Sequence, residues 1–197
     1  MIKNILFDMG GVLLEYNPIH FLKIQGIEDE KDSSLLLKEI YYSDDWKKLD
    51  LGLVDEEDVF NKVKKAIPER LHDKAYKLIY FWKYMFIPIE ETEKLIEEIK
   101  DDYKFYLLSN ASINQPNYWN DIPASKYFKG TVISGLVKCS KPDHKIFEIL
   151  LNKYDLKAEE CLFIDDSLKN VEAAKELGID GYYFDGDINK FRDYLKR

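Results

Sequence analysis

Apolar runs rich in β-branched and aromatic residues recur along the chain at 3–8, 104–109, 131–134, 161–165 and 181–184. Each is short, flanked by turn-forming residues, and reads as a strand. From the second run onward the strands alternate with stretches whose apolar residues recur at helical spacing. Residues 91–100 set Leu95, Ile96 and Ile99 on one face, and residues 144–154, entered through Pro142-Asp143, set Ile146, Phe147, Ile149, Leu150 and Leu151 on another. Ser167 stands where it can cap a helix over 168–177, Gly178 suits the left-handed position that stops it, and a short amphipathic helix at 188–195 follows. This alternation predicts an α/β protein with a Rossmann-like, doubly wound parallel sheet and helices on both faces.

Between the first and second strands the period changes. Residues 15–87 are helical in pattern throughout, with apolar spacing at 34–42, 56–67 and 71–86. That length is far beyond an ordinary crossover. It predicts an inserted α-helical cap domain at 15–87 on an α/β core made of 1–14 and 88–197. An insertion after the first strand emerges at the carboxyl end of the sheet, where open α/β folds bind ligands. The aromatic run Tyr80, Phe81, Trp82, Tyr84, Phe86 is expected to pack as a core helix linking cap to sheet.

The composition, with 46% hydrophobic and 34% charged residues among 197, is that of a globular protein able to bury a real core. A formal charge of −8 with scattered Lys and Arg argues against nucleic acid and anionic membrane as partners. Met1-Ile2-Lys3 leads straight into the first strand, and no apolar run is long enough to span a bilayer, so a cytoplasmic monomer or weak dimer is expected. Cys139 and Cys161, the only cysteines, form no C-x-x-C pair and are read as passive, packed thiols. The negative field would repel a phosphorylated metabolite too. A site for one must therefore act locally.

Polar groups end the apolar runs in a suggestive order. Asp8 is followed by Gly10-Gly11, Ser109 by Asn110, and Asp165-Asp166 by Ser167, while Lys141 stands just before Pro142. Any one of these could be only a turn or cap residue. Together, a carboxylate nucleophile, a hydroxyl, an ammonium and two further carboxylates suit phosphoryl transfer, with Mg²⁺ offsetting the clustered charge. Gly10 and Gly11 would let backbone N–H groups approach a bound phosphate.

Those residues resemble the haloacid dehalogenase-like superfamily over the whole chain. Phe7-Asp8-Met9-Gly10-Gly11-Val12-Leu13 looks like its first motif, Leu107-Leu108-Ser109-Asn110 its second, Lys141-Pro142-Asp143 its third, and Phe163-Ile164-Asp165-Asp166-Ser167 with Asn170 its fourth. The resemblance implies a Mg²⁺-dependent phosphatase in which Asp8 attacks phosphorus, Ser109 and Lys141 hold phosphoryl oxygens, and Asp8, the Gly10 carbonyl, Asp166 and Asp165 serve the metal. Gly11, Asn110, Glu15 and Asp50 would face the substrate. The Gly-Gly motif, Asp50-x-Gly52 with the acidic stretch after it, and Tyr118-Trp119 with Pro123 look most like a sugar-phosphate phosphatase group that includes an α-glucose-1-phosphate phosphatase.

One position departs from the pattern. Family phosphatases carry a second aspartate two residues after the nucleophile, as proton donor to the leaving oxygen, and this chain has Gly10 there. Such catalysis is worth about 10² to 10⁴ in rate. Glu15, which leaves the first strand nearby, is the first candidate to replace it, followed by His20, Asp50 or a metal-bound water. Two other functions compete: a 2-haloacid dehalogenase, which needs no acid but carries an aromatic residue at the Gly10 position, and a phosphate-ligand binding or regulatory protein with weak turnover.

Overall fold

The computed structural model describes residues 1–81 and 84–196. Strand β1 (Asn4–Phe7) is buried at every position. The chain leaves it through β2 (Leu14–Glu15) and passes into α1 (Pro18–Ile24) and α2 (Glu30–Leu36), which runs on as a π-helical turn at Leu37–Tyr41. Helices α3 (Asp44–Asp50), α4 (Glu56–Ala66) and α5 (His72–Tyr80) follow, and β3 (Ile87–Pro88) returns antiparallel to β2. The remaining chain alternates helix and strand: α6 (Glu90–Ile99), β4 (Lys104–Ser109), α7 (Pro116–Trp119), β5 (Phe128–Ile133), α8 (Ser134–Val137) and α9 (His144–Lys153). It closes with β6 (Cys161–Asp165), α10 (Leu168–Glu176), β7 (Asp180–Tyr183) and α11 (Ile188–Leu195).

The five long strands form a parallel sheet in the order β5-β4-β1-β6-β7. Strand residues alternate between its two faces. Ile5 and Phe7 join Leu95 and Ile96 of α6 and Phe191 of α11 on one side, while Leu6 joins Ile146, Phe147 and Leu150 of α9 and Ala174 of α10 on the other. Phe7 meets Phe105 and Phe191 edge to face, with ring centroids 5.8 and 6.5 Å apart, so burial and ring geometry together fix β1 at the centre. From β1 the chain winds outward to β5, then crosses back to β6 and winds the other way. Strand order reverses between β1 and β6, which opens a crevice at their carboxyl ends.

The inserted helices have a core of their own, built from Phe21, Leu36, Ile40, Trp46, Leu49, Val59, Val63, Leu71 and Leu78. Helix α4 begins with a reciprocal capping box between Asp55 and Asp58. The α/β sheet with a helical cap thus matches the fold that the apolar pattern predicts.

Several local expectations differ. Strand β5 starts at Phe128, and Ser134 opens α8 instead of closing the strand. Ser167 makes no side-chain cap to α10; the turn is held instead by Asp165, whose Oδ1 accepts the Ser167 N–H at 2.7 Å. Helix α5 ends at Tyr80, and Phe81 and Tyr84 are 42% and 69% exposed. The aromatic run is therefore no core helix into the sheet; Trp82 of that run lies outside the described residues. Both cysteines are buried, and burial pushes the Cys139 thiol up, so it is the passive thiol expected.

Candidate active site

Asp8 lies one residue beyond β1, at the strand-order reversal. The Met9 N–H donates to its Oδ1 at 2.7 Å, and the Lys141 ammonium sits 2.7 Å from the same oxygen. Lys141 comes from the loop before α9. Its side chain is only 1% exposed, and its ammonium is shared with Asp165 Oδ2, also at 2.7 Å. Asn110, just past β4, fixes that loop: its Oδ1 accepts the Lys141 N–H at 2.8 Å and its Nδ2 donates to the Lys141 carbonyl at 3.0 Å.

Asp165 is fully buried at the end of β6, and its oxygens are committed. Besides Lys141 they accept the Ser167 N–H at 2.7 Å and the Asn170 amide at 3.0 and 3.1 Å. Asp166, next in the chain and exposed, turns toward Asp8. Glycine is required opposite it: Gly11 has φ +74°, and a Cβ there would lie 2.1 Å from Asp166 Oδ2.

The electrostatics follow from burial and from crowding of like charge. Burial pushes the Asp8 carboxyl up to about 7, against the pull of Lys141 and with a further push from Asp165. Burial, then the charge of Asp165, also raises Asp166. Burial alone would lower Lys141, but the two carboxylates hold it above the usual lysine value. Three carboxylates stand against one ammonium, and Asp8, Asp165 and Asp166 can each present an oxygen within 4.8 Å of one another. Hard oxygen donors with excess negative charge fit a small divalent cation. Asp165 is the most heavily engaged of the three, by Lys141, Ser167 and Asn170, so the carboxylates best placed to face a cation are those of Asp8 and Asp166.

Above these residues lies a cavity of about 330 Å³. Its floor is Asp8, Gly10, Ser109, Lys141 and Asp166, and its opposite wall is the cap's Tyr16, Tyr41, Trp46, Lys47 and Asp50. The structure thus gathers Asp8, Gly10, Ser109, Asn110, Lys141, Asp166 and Asp50 around one space, with Asp165 directly behind.

Three expected residues do not join them. Glu15 is exposed on β2, paired with Ile87, and does not line the cavity, so its nearness to Asp8 in sequence does not become nearness to substrate. His20 sits in the first turn of α1, away from the lining. The Gly11 N–H donates to the Leu14 carbonyl at 2.7 Å and is used within its own turn. Asn110 is present, but its side-chain amide is engaged by the Lys141 backbone and not presented to a ligand. Sequence reasoning passed over Tyr16, Tyr41 and Ser134. Ser134 carried the same signal as Ser109, a hydroxyl closing an apolar run.

The family model for haloacid dehalogenase-like hydrolases matches residues 2–178, and the chain belongs to that family. It is 27% identical over 191 residues to a sesquiterpene phosphatase of Aspergillus oryzae, covering 92% of this chain and 89% of that protein. It is 22% identical over 193 residues to a D-ribitol-5-phosphate phosphatase of Bacteroides thetaiotaomicron, covering 92% and 91%. Among solved structures it resembles a HAD family enzyme of Bacteroides thetaiotaomicron, with a TM-score of 0.73, 27% identity and coverage of 100% and 98%. That enzyme has also been crystallised with magnesium and inorganic phosphate.

Proposed function

We propose that the protein is a Mg²⁺-dependent phosphatase of small phosphomonoesters, sugar phosphates foremost, acting through a phospho-Asp8 intermediate. One observation carries this reading: both close contacts to Asp8, from Lys141 and from the Met9 N–H, fall on Oδ1. The carboxylate is thereby oriented, and Oδ2 is left as the attacking oxygen.

Asp8, Asp166 and the Gly10 carbonyl would hold Mg²⁺, with Asp165 supporting them from behind. When bound, the ion supplies positive charge where three carboxylates and a phosphate dianion meet. Ser109 and Lys141 hold the phosphoryl oxygens as charge shifts between them. Asp8 Oδ2 bonds to phosphorus, the ester oxygen leaves, and water then releases inorganic phosphate and restores Asp8. The family's magnesium-and-phosphate complex and the phosphatase relatives support this chemistry.

The cap wall supports the substrate class. Tyr16, Tyr41 and Trp46 line it with aromatic surface suited to the C–H groups of a sugar or polyol, while Lys47 offers a partner for hydroxyls. A cavity of about 330 Å³ suits a ligand of that size.

Phosphate release from a panel of pentose, hexose, polyol and isoprenoid phosphates, with Mg²⁺ and with EDTA, tests the assignment. Activity is expected with Mg²⁺, lost in EDTA and restored on adding the ion back. Asp8→Asn should reduce every substrate by at least about a thousandfold. Full activity in that variant would remove the covalent step.

A further inference from the structure

The position two after Asp8 is Gly10, so the leaving oxygen needs its proton from elsewhere. A restored side chain there would meet an obstacle: a Cβ on Gly10 would lie 3.2 Å from Tyr16 Cβ, the first residue of the cap wall. Even a methyl group at position 10 would press on Tyr16 and require it to give by a few tenths of an ångström.

Across the same cavity stands Asp50, the last residue of α3. Its placement depends on the core as much as on the cap. Ser134 Oγ donates to the Asp50 main-chain carbonyl at 2.5 Å, and the same oxygen accepts the Ala111 N–H at 2.9 Å. Ala111 lies two residues beyond Ser109, so one buried hydroxyl ties Asp50 to the loop that carries a phosphate-binding residue. Two further bonds close the seam. Lys138 Nζ donates to the Gly52 carbonyl, and Asn114 Nδ2 donates to Glu56 Oε1 at 2.7 Å.

We infer that Asp50, delivered by the cap, is the acid and base of the phosphatase, in place of the aspartate that Gly10 lacks. The inference rests on the phosphatase reading above. Burial pushes the Asp50 carboxyl up to about 8, so it carries a proton at neutral pH, as a donor must. In the first step Asp8 Oδ2 bonds to phosphorus, the bond from phosphorus to the ester oxygen breaks with its electron pair on oxygen, and that oxygen takes the Asp50 proton to leave as an alcohol. In the second, the Asp50 carboxylate takes a proton from water as the water oxygen bonds to phosphorus. The phosphorus–Asp8 bond then breaks with its pair on Asp8, and phosphate departs with Asp50 protonated again.

Leaving-group chemistry separates this role from a structural one. p-Nitrophenolate departs without a proton, whereas a sugar alkoxide does not. The ratio of kcat/KM for p-nitrophenyl phosphate to that for a hexose or ribitol phosphate is therefore the readout, taken with Mg²⁺. Asp50→Asn should raise it by at least about 10². Asp50→Glu, which restores a carboxylic acid, should bring it back toward wild type. The seam bond is made by the Asp50 main chain, so both variants keep it. An unchanged ratio in Asp50→Asn overturns the inference and leaves the phosphatase standing. Wild-type protein inert toward both substrates overturns the two together.

Discussion

Lys141 shows how a single residue can hold a site and strain its energetics at once. Its ammonium sits between Asp8 and Asp165 and nearly out of reach of solvent, so each carboxylate depends on it for compensation. Lys141→Met keeps the length of the side chain but strands a buried carboxylate, and should cost about 3 to 5 kcal/mol in urea unfolding as well as the activity. Asp50 gives the opposite sign. Its folded carboxyl is raised from 3.8 to about 8, so its contribution is fully present below the lower value and is lost as pH rises through the higher one. Asp50→Asn removes that loss: its melting temperature should exceed wild type by a margin that grows from about pH 5 to about pH 8. A margin that stays flat over that range would show that Asp50 titrates normally. At this scale Asp8, Ser109, Lys141 and Asp166 were legible because each ends a strand pattern or opens a helix in its own local sequence. Tyr16 and Tyr41 were not, because nothing local distinguishes a tyrosine facing a cavity from one filling a core.

Between elements, the seam where α3 and the turn after it meet α8 sets the distance from cap to sheet. Gly52 has φ +61°, and a Cβ on it would lie 2.4 Å from the Gly135 carbonyl oxygen. Gly52→Ala must therefore move the cap or strain the turn. A loss of about 1 to 3 kcal/mol is expected, with KM rising more than kcat falls as the cavity wall withdraws. Unchanged stability together with unchanged KM would mean that the seam does not position the wall. The elements themselves were legible unevenly. β1, β4 and β6 are buried on both faces and read as unbroken apolar runs. β5 shows an edge strand's mixed pattern, and its first three residues were missed. In the cap, α1 and α3 have seven residues each, too few turns for a helical period to declare itself, and α5 stops at Tyr80 although the apolar spacing suggested continuation to Phe86.

For the molecule as a whole, the charge of −8 and a pI near 5.0 set a field against any phosphate dianion. With Mg²⁺ saturating, added salt should raise kcat/KM for a sugar phosphate by screening that repulsion, up to the point where the Debye length falls below the cavity's dimensions. A fall instead would show that the local positive charge dominates at long range. No helix among the described residues is long and apolar enough to cross a membrane. By itself the sequence determined the class of sheet, the presence of a helical insertion after β1 and the chemical types at the strand ends, since period, length and side-chain chemistry are local properties. Only the tertiary structure decided which of those groups share a space. Proximity along the chain favoured Glu15, seven residues from Asp8, yet β2 carries it to the surface, and α3 brings Asp50, forty-two residues away, to the cavity opposite. Folding makes neighbours by packing hydrophobic faces, and the distance between two polar groups is inherited from that packing.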